Sequence, residues 1–211
     1  MPVVPRVLSL SLIVLTMAGS AQAAPPTCAI DMGSNTFKRI VGRFEQGRYA
    51  ETSIEKVTLA VGDDVARNGR ISEGKLAEID ATLGKFKDAC VRDGATPIVA
   101  VGTAAFRDAA NGATTIAIAA RHGITMEIAD ERRESDLAYL VGSLGRDGLA
   151  VIDNGSRSIE LAARSGTLQY SVFNLGYRVA YEAFFATAAD PAPAVRAFRD
   201  RLMPELSKAA F

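Results

Sequence analysis

Two short stretches carry residue types suited to handling phosphate. Asp31-Met-Gly-Ser-Asn-Thr36 and Asp153-Asn-Gly-Ser-Arg-Ser158 each set an acid at the end of an apolar run. Each then continues, after one residue, with Gly and Ser, and one residue later with a hydroxyl. Glycine lets backbone N–H groups approach an anion, and successive N–H groups beside small hydroxyls form an anion-binding concavity. Two such turns facing each other across a cleft make a phosphate clamp. Asp31 and Asp153 offer the hard oxygens that hold a divalent cation or its waters. Each acid also suits a plain turn-capping role, accepting local N–H bonds. Arg107 follows a Gly-Thr turn after the apolar run PIVAVG, where ligands of parallel sheets collect. Its planar guanidinium matches phosphate, although a solvated surface arginine reads the same way. Glu134 shares an expected helix face with Leu137, Ala138 and Val141, by i+3, i+4 and i+7 spacing. A carboxylate on that inward stripe needs a partner or a cleft. An ion pair with Arg132, Arg133 or Arg107 meets that need as well as chemistry does.

Composition removes other chemistries. One histidine and two cysteines cannot build a structural zinc site of four N or S ligands. A nucleophilic triad would have to use His122, which precedes Gly123 and reads as a helix C-terminal cap. Equal numbers of basic and acidic side chains, 24 each, argue against a chain that coats nucleic acid. What remains is carboxylates, hydroxyls, lysines, arginines and backbone amides.

The elements that must position these groups alternate. Thr27 to Asp31, Phe37 to Phe44 and Tyr49 to Leu59 read as three strands with tight connections. Ser72 opens a helix whose Leu76, Ile79, Leu83, Phe86 and Cys90 share one face. Pro97 to Gly102 is an apolar strand, Ala109 to Arg121 a helix, and Ile124 to Ala129 a further strand. Glu131 to Leu144 is a helix with Leu137, Leu140, Val141 and Leu144 on its expected core face. This order predicts a mixed sheet whose later strands are parallel. Gly148 to Asp153, Ser158 to Arg164 and Leu168 to Phe173 then repeat the three-strand opening. A helical region follows from Tyr177, and its Phe184-Phe185 pair reads as core. CAIDMGSNT and AVIDNGSRS echo each other, which suggests two related lobes.

The N-terminus has the layout of a secretory signal peptide. A short segment bearing Arg6 precedes the apolar Val7 to Ala18, and Ala21 and Ala23 form an A-x-A cleavage site. The apolar run is short for a membrane span of about 20 residues. Removal of residues 1–23 would leave no stable membrane anchor and a periplasmic or secreted protein. In an oxidising compartment Cys28 and Cys90 are able to pair; spacing leaves bridge and free thiols both open.

The chain resembles the exopolyphosphatase/guanosine pentaphosphate phosphohydrolase family of the actin-like ATPase superfamily. AIDMGSNTFKRIVG resembles its opening motif. VGDDVARNGRISEGKLAEI, VAVGTAAFRDAANG, MEIADERRESDLAYLVG, VIDNGSRSIEL and FNLGYRVAYEAFF resemble later segments in the family's order. The resemblance implies an α/β fold: an actin-like, ribonuclease-H-like lobe over 27–147 and a truncated second lobe of similar type over 148–211. It implies a first phosphate loop of Asp31, Gly33, Ser34, Asn35 and Thr36, with Arg107 binding phosphate. Glu134 would orient or deprotonate the attacking water. Asp153, Gly155, Ser156, Arg157, Ser158 and Glu160 would form the second loop, with Glu160 aiding metal or water placement. The cofactor implied is magnesium or another divalent cation, and the substrate inorganic polyphosphate or another phosphoanhydride.

The second loop departs from the family's Asp-x-Gly-Gly-Gly-Ser-Thr-Glu. Ser156 and Arg157 replace two glycines, and Ile159 replaces a threonine. If those positions need φ > 0, strain of about 1–3 kcal/mol each is expected. Arg157 would either add charge to the site or block it. Residues 148–211 are few for a complete lobe, so self-association as a homodimer is one expectation. Alternatives to turnover of polyphosphate are a non-catalytic phosphate-binding protein and a guanosine pentaphosphate phosphohydrolase.

Overall fold

The computed structural model describes residues 24–45, 48–144 and 146–209; the signal peptide expected over 1–23 lies outside them. Strands β1 (Thr27–Met32), β2 (Thr36–Glu45) and β3 (Arg48–Thr58) form an antiparallel meander. Strands β4 (Ile98–Gly102) and β5 (Thr125–Ile128) add to its other side, parallel to β1, in the order β3-β2-β1-β4-β5. The mixed sheet with later parallel strands is therefore present. In β1, Cys28, Ile30 and Met32 point into the core, while Asp31 points the other way, as the period of two requires.

Helix α2 (Glu73–Arg92) buries Leu76, Ile79, Leu83, Phe86 and Cys90, the face expected from spacing. Its N-cap is Ser72, which accepts from the Lys75 N–H. The core around it includes Phe37 and Phe106, whose ring centroids lie 5.9 Å apart. A disulfide joins Cys28 of β1 to Cys90 of α2 across 62 residues of sequence.

Two expectations are corrected, and one element is added. The added one is helix α1 (Val61–Asn68), in a stretch to which spacing assigns no element; Asp64 organises it, accepting from the Ser72 N–H at 2.7 Å and Asn68 Nδ2 at 2.9 Å. The helix expected over Ala109–Arg121 begins only at Thr114, as α4 (Thr114–Arg121), and a separate short helix, α3 (Ala104–Asp108), precedes the expected start. Asn111, between them, bonds both backbone groups of Ile71, at 2.8 and 2.9 Å. Helix α5 (Glu131–Ser143) turns a different face inward: Ser135, Tyr139 and Ser143 are buried, while Leu140, Val141 and Leu144 are exposed. His122 caps α4, as expected, and its ring meets Asp80 at 2.7 Å.

The second sheet is antiparallel, β6 (Ala150–Asn154), β7 (Ile159–Ser165) and β8 (Thr167–Phe173). Helix α5 packs on these three strands. The helix bearing Glu134 thus rests on the second sheet, while Glu134 itself reaches Arg107 of α3. Helix α6 (Tyr177–Ala180), a π-helical turn (Tyr181–Phe185) and α7 (Pro191–Leu206) follow. Phe184 and Phe185 pack on Phe198 of α7.

Candidate active site

The two glycine turns have the same construction. In the first, the Gly33 N–H donates to Thr36 O at 3.1 Å; in the second, the Gly155 N–H donates to Ser158 O at 2.9 Å. A Cβ on Gly33 would stand 2.9 Å from Thr36 O, so the turn closes this tightly only around glycine. Beyond the turns the ladders match as well: Asp31 pairs with Lys38, and Asp153 with Glu160. Each turn is tethered by the start of the helix after its meander. The Gly62 N–H donates to Ser34 O at 2.7 Å, and the Arg178 N–H to Ser156 O at 3.1 Å. The echo in the sequence is a structural repeat. Gly176 underpins the second copy: a Cβ there would lie 2.5 Å from backbone atoms of Gly155, Arg157 and Ser158.

The strain expected of Ser156 and Arg157 is absent. The non-glycine residues with positive φ among the described residues are Ala60 and Leu144. Arg157 instead extends across the cleft, donating to Gly62 O at 3.3 Å and meeting Asp108 Oδ2 at 3.3 Å. Ser34 is buried, and its hydroxyl accepts from the Ala105 N–H at 3.2 Å, tying the first turn to α3. Asn35 reaches residues of the second lobe, its amide nitrogen donating to the Tyr177 hydroxyl at 3.3 Å.

Arg107 ends α3 and donates to Ala129 O at 2.7 Å and to Glu134 Oε2 at 3.1 Å. Glu134 sits in the first turn of α5, whose Asp130 cap accepts from the Arg133 N–H. Of its three candidate partners, Arg107 makes the ion pair. Burial raises the Glu134 carboxyl, the Arg107 hydrogen bond and charge oppose this, and Asp153 and Asp31 add to it. Asp31 is also raised by burial in the cleft, with Lys38 opposing and Asp153 reinforcing.

Glu160 is 2 % exposed, and its Oε1 has no hydrogen-bond partner among the described residues. Burial pushes its carboxyl up to about 7; the Ser158 hydroxyl opposes, while Glu134 and Asp153 reinforce. Asp153 therefore acts on Asp31, Glu134 and Glu160, and Glu134 also feels Asp31 and acts on Glu160. Among the described residues no three His, Cys, Asp or Glu converge as a protein-only metal cage. Two aspartates and an orphaned carboxylate oxygen do fit an ion that shares its shell with water and phosphate, the usual habit of magnesium.

Of the expected site residues, Arg107 meets Glu134, Arg157 reaches Gly62 and Asp108, and Asp31, Glu134 and Glu160 each feel the charge of Asp153. Asp63 and Arg178, which meet each other, lie in two of the segments that resemble the family, but sequence reasoning gives neither a role.

Comparison with known proteins gives the family and the fold. Residues 41–209 match the model of the Ppx/GppA phosphatase family. The chain belongs to that family. A curated relative, Exopolyphosphatase 1 of Mycobacterium leprae (strain TN), is 26 % identical over 141 residues, covering 63 % of this chain and 41 % of the relative. The chain so spans less than half the length of that protein. A crystal structure of the Aquifex aeolicus Ppx/GppA family member superposes with a TM-score of 0.76 at 24 % identity, covering 89 % of this chain and 63 % of that one. An exopolyphosphatase from Cytophaga hutchinsonii gives 0.71 at 23 % identity, covering 87 % and 62 %. The fold is accordingly the actin-like α/β fold of the Ppx/GppA proteins.

Proposed function

We propose that the protein is an exopolyphosphatase-like hydrolase that releases the terminal phosphate of inorganic polyphosphate. The observation that carries this reading is the cleft itself: two matched anion turns, Arg107, and four carboxylates in mutual electrostatic reach. Gly33, Ser34, Asn35 and Thr36 on one side, and Gly155, Ser156, Arg157 and Ser158 on the other, cradle phosphate oxygens. Magnesium at Asp31 and Asp153 would supply charge neutralisation for those oxygens. Arg107 holds Glu134 in place and offers its remaining donors to the terminal phosphoryl group. Glu134 takes a proton from water as the water oxygen bonds to the terminal phosphorus. The bridging P–O bond breaks, and the shortened chain leaves with that electron pair. Glu160 orients the water or a cation's hydration shell. Orthophosphate release from polyphosphate in magnesium tests the reading; activity indifferent to Glu134→Ala would sink it.

A binding-only role is the second reading, favoured by Arg157, which fills space across the cleft where the family pattern has glycine. Calorimetry showing polyphosphate binding without turnover would select it. Export to the periplasm or beyond is supported by the signal-like N-terminus and the Cys28–Cys90 bridge, since such bridges persist in oxidising compartments. It disfavours a cytosolic guanosine pentaphosphate as substrate. A homodimer is supported by the exposed Leu140, Val141 and Leu144, and sedimentation velocity tests it.

A further inference from the structure

Three arginine–carboxylate pairs cross the cleft, and the reaction above uses one of them, Arg107 with Glu134. The second joins Arg157 to Asp108 at 3.3 Å. The third joins Arg178 of α6 to Asp63 of α1 at 2.5 Å. Arg178 also donates to Asn35 Oδ1 at 3.1 Å and to Glu182 Oε1 at 3.0 Å. A second-lobe guanidinium thus stands against the first phosphate turn, touching one of its residues directly. Its side chain and that of Asp63 are each about a third exposed, 33 % and 29 %. A pair this open to water adds little to stability, so stability alone is a weak reason for the arrangement. A guanidinium beside a turn built for anions, capped by a carboxylate of its own chain, has another use. Phosphate is a stronger partner for that planar fork than a single carboxylate, because it brings more charge and more acceptor oxygens.

We propose that Arg178 is a phosphate-chain ligand of this cleft, and that Asp63 holds it in reserve by competing with phosphate for the guanidinium. The incoming chain takes the guanidinium over from Asp63, with no covalent change, and closes the second lobe onto the first turn through its own oxygens. Asp63 therefore lowers affinity for the anion. The inference rests on the reading of the cleft as a phosphate site, but not on turnover.

The test is calorimetric titration of the whole chain with inorganic tripolyphosphate in EDTA, with orthophosphate release followed in the same solution. R178Q weakens binding about tenfold or more, the loss expected for a charge-assisted bond. D63N tightens binding several-fold, a gain that misfolding cannot produce. In the R178Q background, D63N gives no such gain. Unchanged or weaker binding by D63N overturns the proposal, as does wild-type affinity in R178Q. A D63N gain that persists undiminished without Arg178 is plain relief of charge repulsion and also overturns it. If the wild-type chain binds no tripolyphosphate, the reading of the cleft falls together with the inference. Wild-type binding with an unaffected R178Q removes Arg178 alone.

Discussion

Glu160→Gln removes a buried charge while keeping the side chain's shape. The carboxyl is 2 % exposed, its Oε1 is orphaned, and it is pushed up to about 7. In the unfolded chain a glutamate titrates near 4.3, and each unit of difference is worth about 1.4 kcal/mol. The folded state therefore holds this proton more tightly than the unfolded state. That contribution is fully present below about pH 4 and is lost as pH rises through about 7, a change of roughly 4 kcal/mol, about 3 of it between about pH 4.5 and 8.5. Glutamine does not titrate. The stability difference between E160Q and wild type should thus grow from near zero at about pH 4.5 to about 3 kcal/mol in the variant's favour at about pH 8.5. Urea unfolding of the whole chain in EDTA at the two pH values measures it. The same variant loses turnover, so stability and activity move in opposite directions. An offset of equal size at both pH values, or a variant less stable at the higher pH, would refute the assignment of Glu160 as a buried acid kept for function.

Reduction of Cys28–Cys90 releases a loop of 62 residues; by loop entropy this costs about 4 kcal/mol, measured as a fall in the urea midpoint with dithiothreitol and absent in the double Cys→Ser variant. Gly176→Ala drives a Cβ into the second turn's backbone at 2.5 Å; a loss of about 1–3 kcal/mol and weakened tripolyphosphate binding are expected, and an unaltered affinity would show that this turn takes no phosphate. Arg107→Gln removes the hydrogen bond and charge that hold the Glu134 carboxyl down. The acid limb of the pH–rate profile then moves to higher pH, alongside weaker substrate binding; an unmoved limb would remove Glu134 as the titrating base.

Local chemistry was the legible part of this protein. The Gly-Ser turns, the Ser72 cap and the apolar face of α2 depend on neighbours in sequence, and each stands where spacing predicts. Helix α5 shows why the rest was hidden. Its Leu140, Val141 and Leu144 make a plausible apolar stripe, yet Val141 and Leu144 are 72 % and 77 % exposed. The inward face is set by tertiary partners instead. Small Ser135, Gly142 and Ser143 allow close approach to β6, where a Cβ on Gly142 would strike Val151 at 2.5 Å. Tyr139 donates its hydroxyl to Arg146 O at 2.8 Å and lies under the Arg164 guanidinium. The break between α3 and α4 has the same origin, a bidentate contact from Asn111 to a residue 40 positions away. Arg178 and Asp63 are 115 positions apart, and no periodicity links them. The echo of the two turns was visible as a pattern, but only the shared ladder positions of Asp31–Lys38 and Asp153–Glu160 make it a repeat.

Hydrolysis of the end of a phosphate chain by the two turns and their carboxylates is tested most directly by product analysis of tripolyphosphate incubated with the whole chain and magnesium. Equal amounts of orthophosphate and pyrophosphate are expected as first products from the wild type, and none above background from E134Q or E160Q. Hydrolysis that survives undiminished in both variants would contradict it.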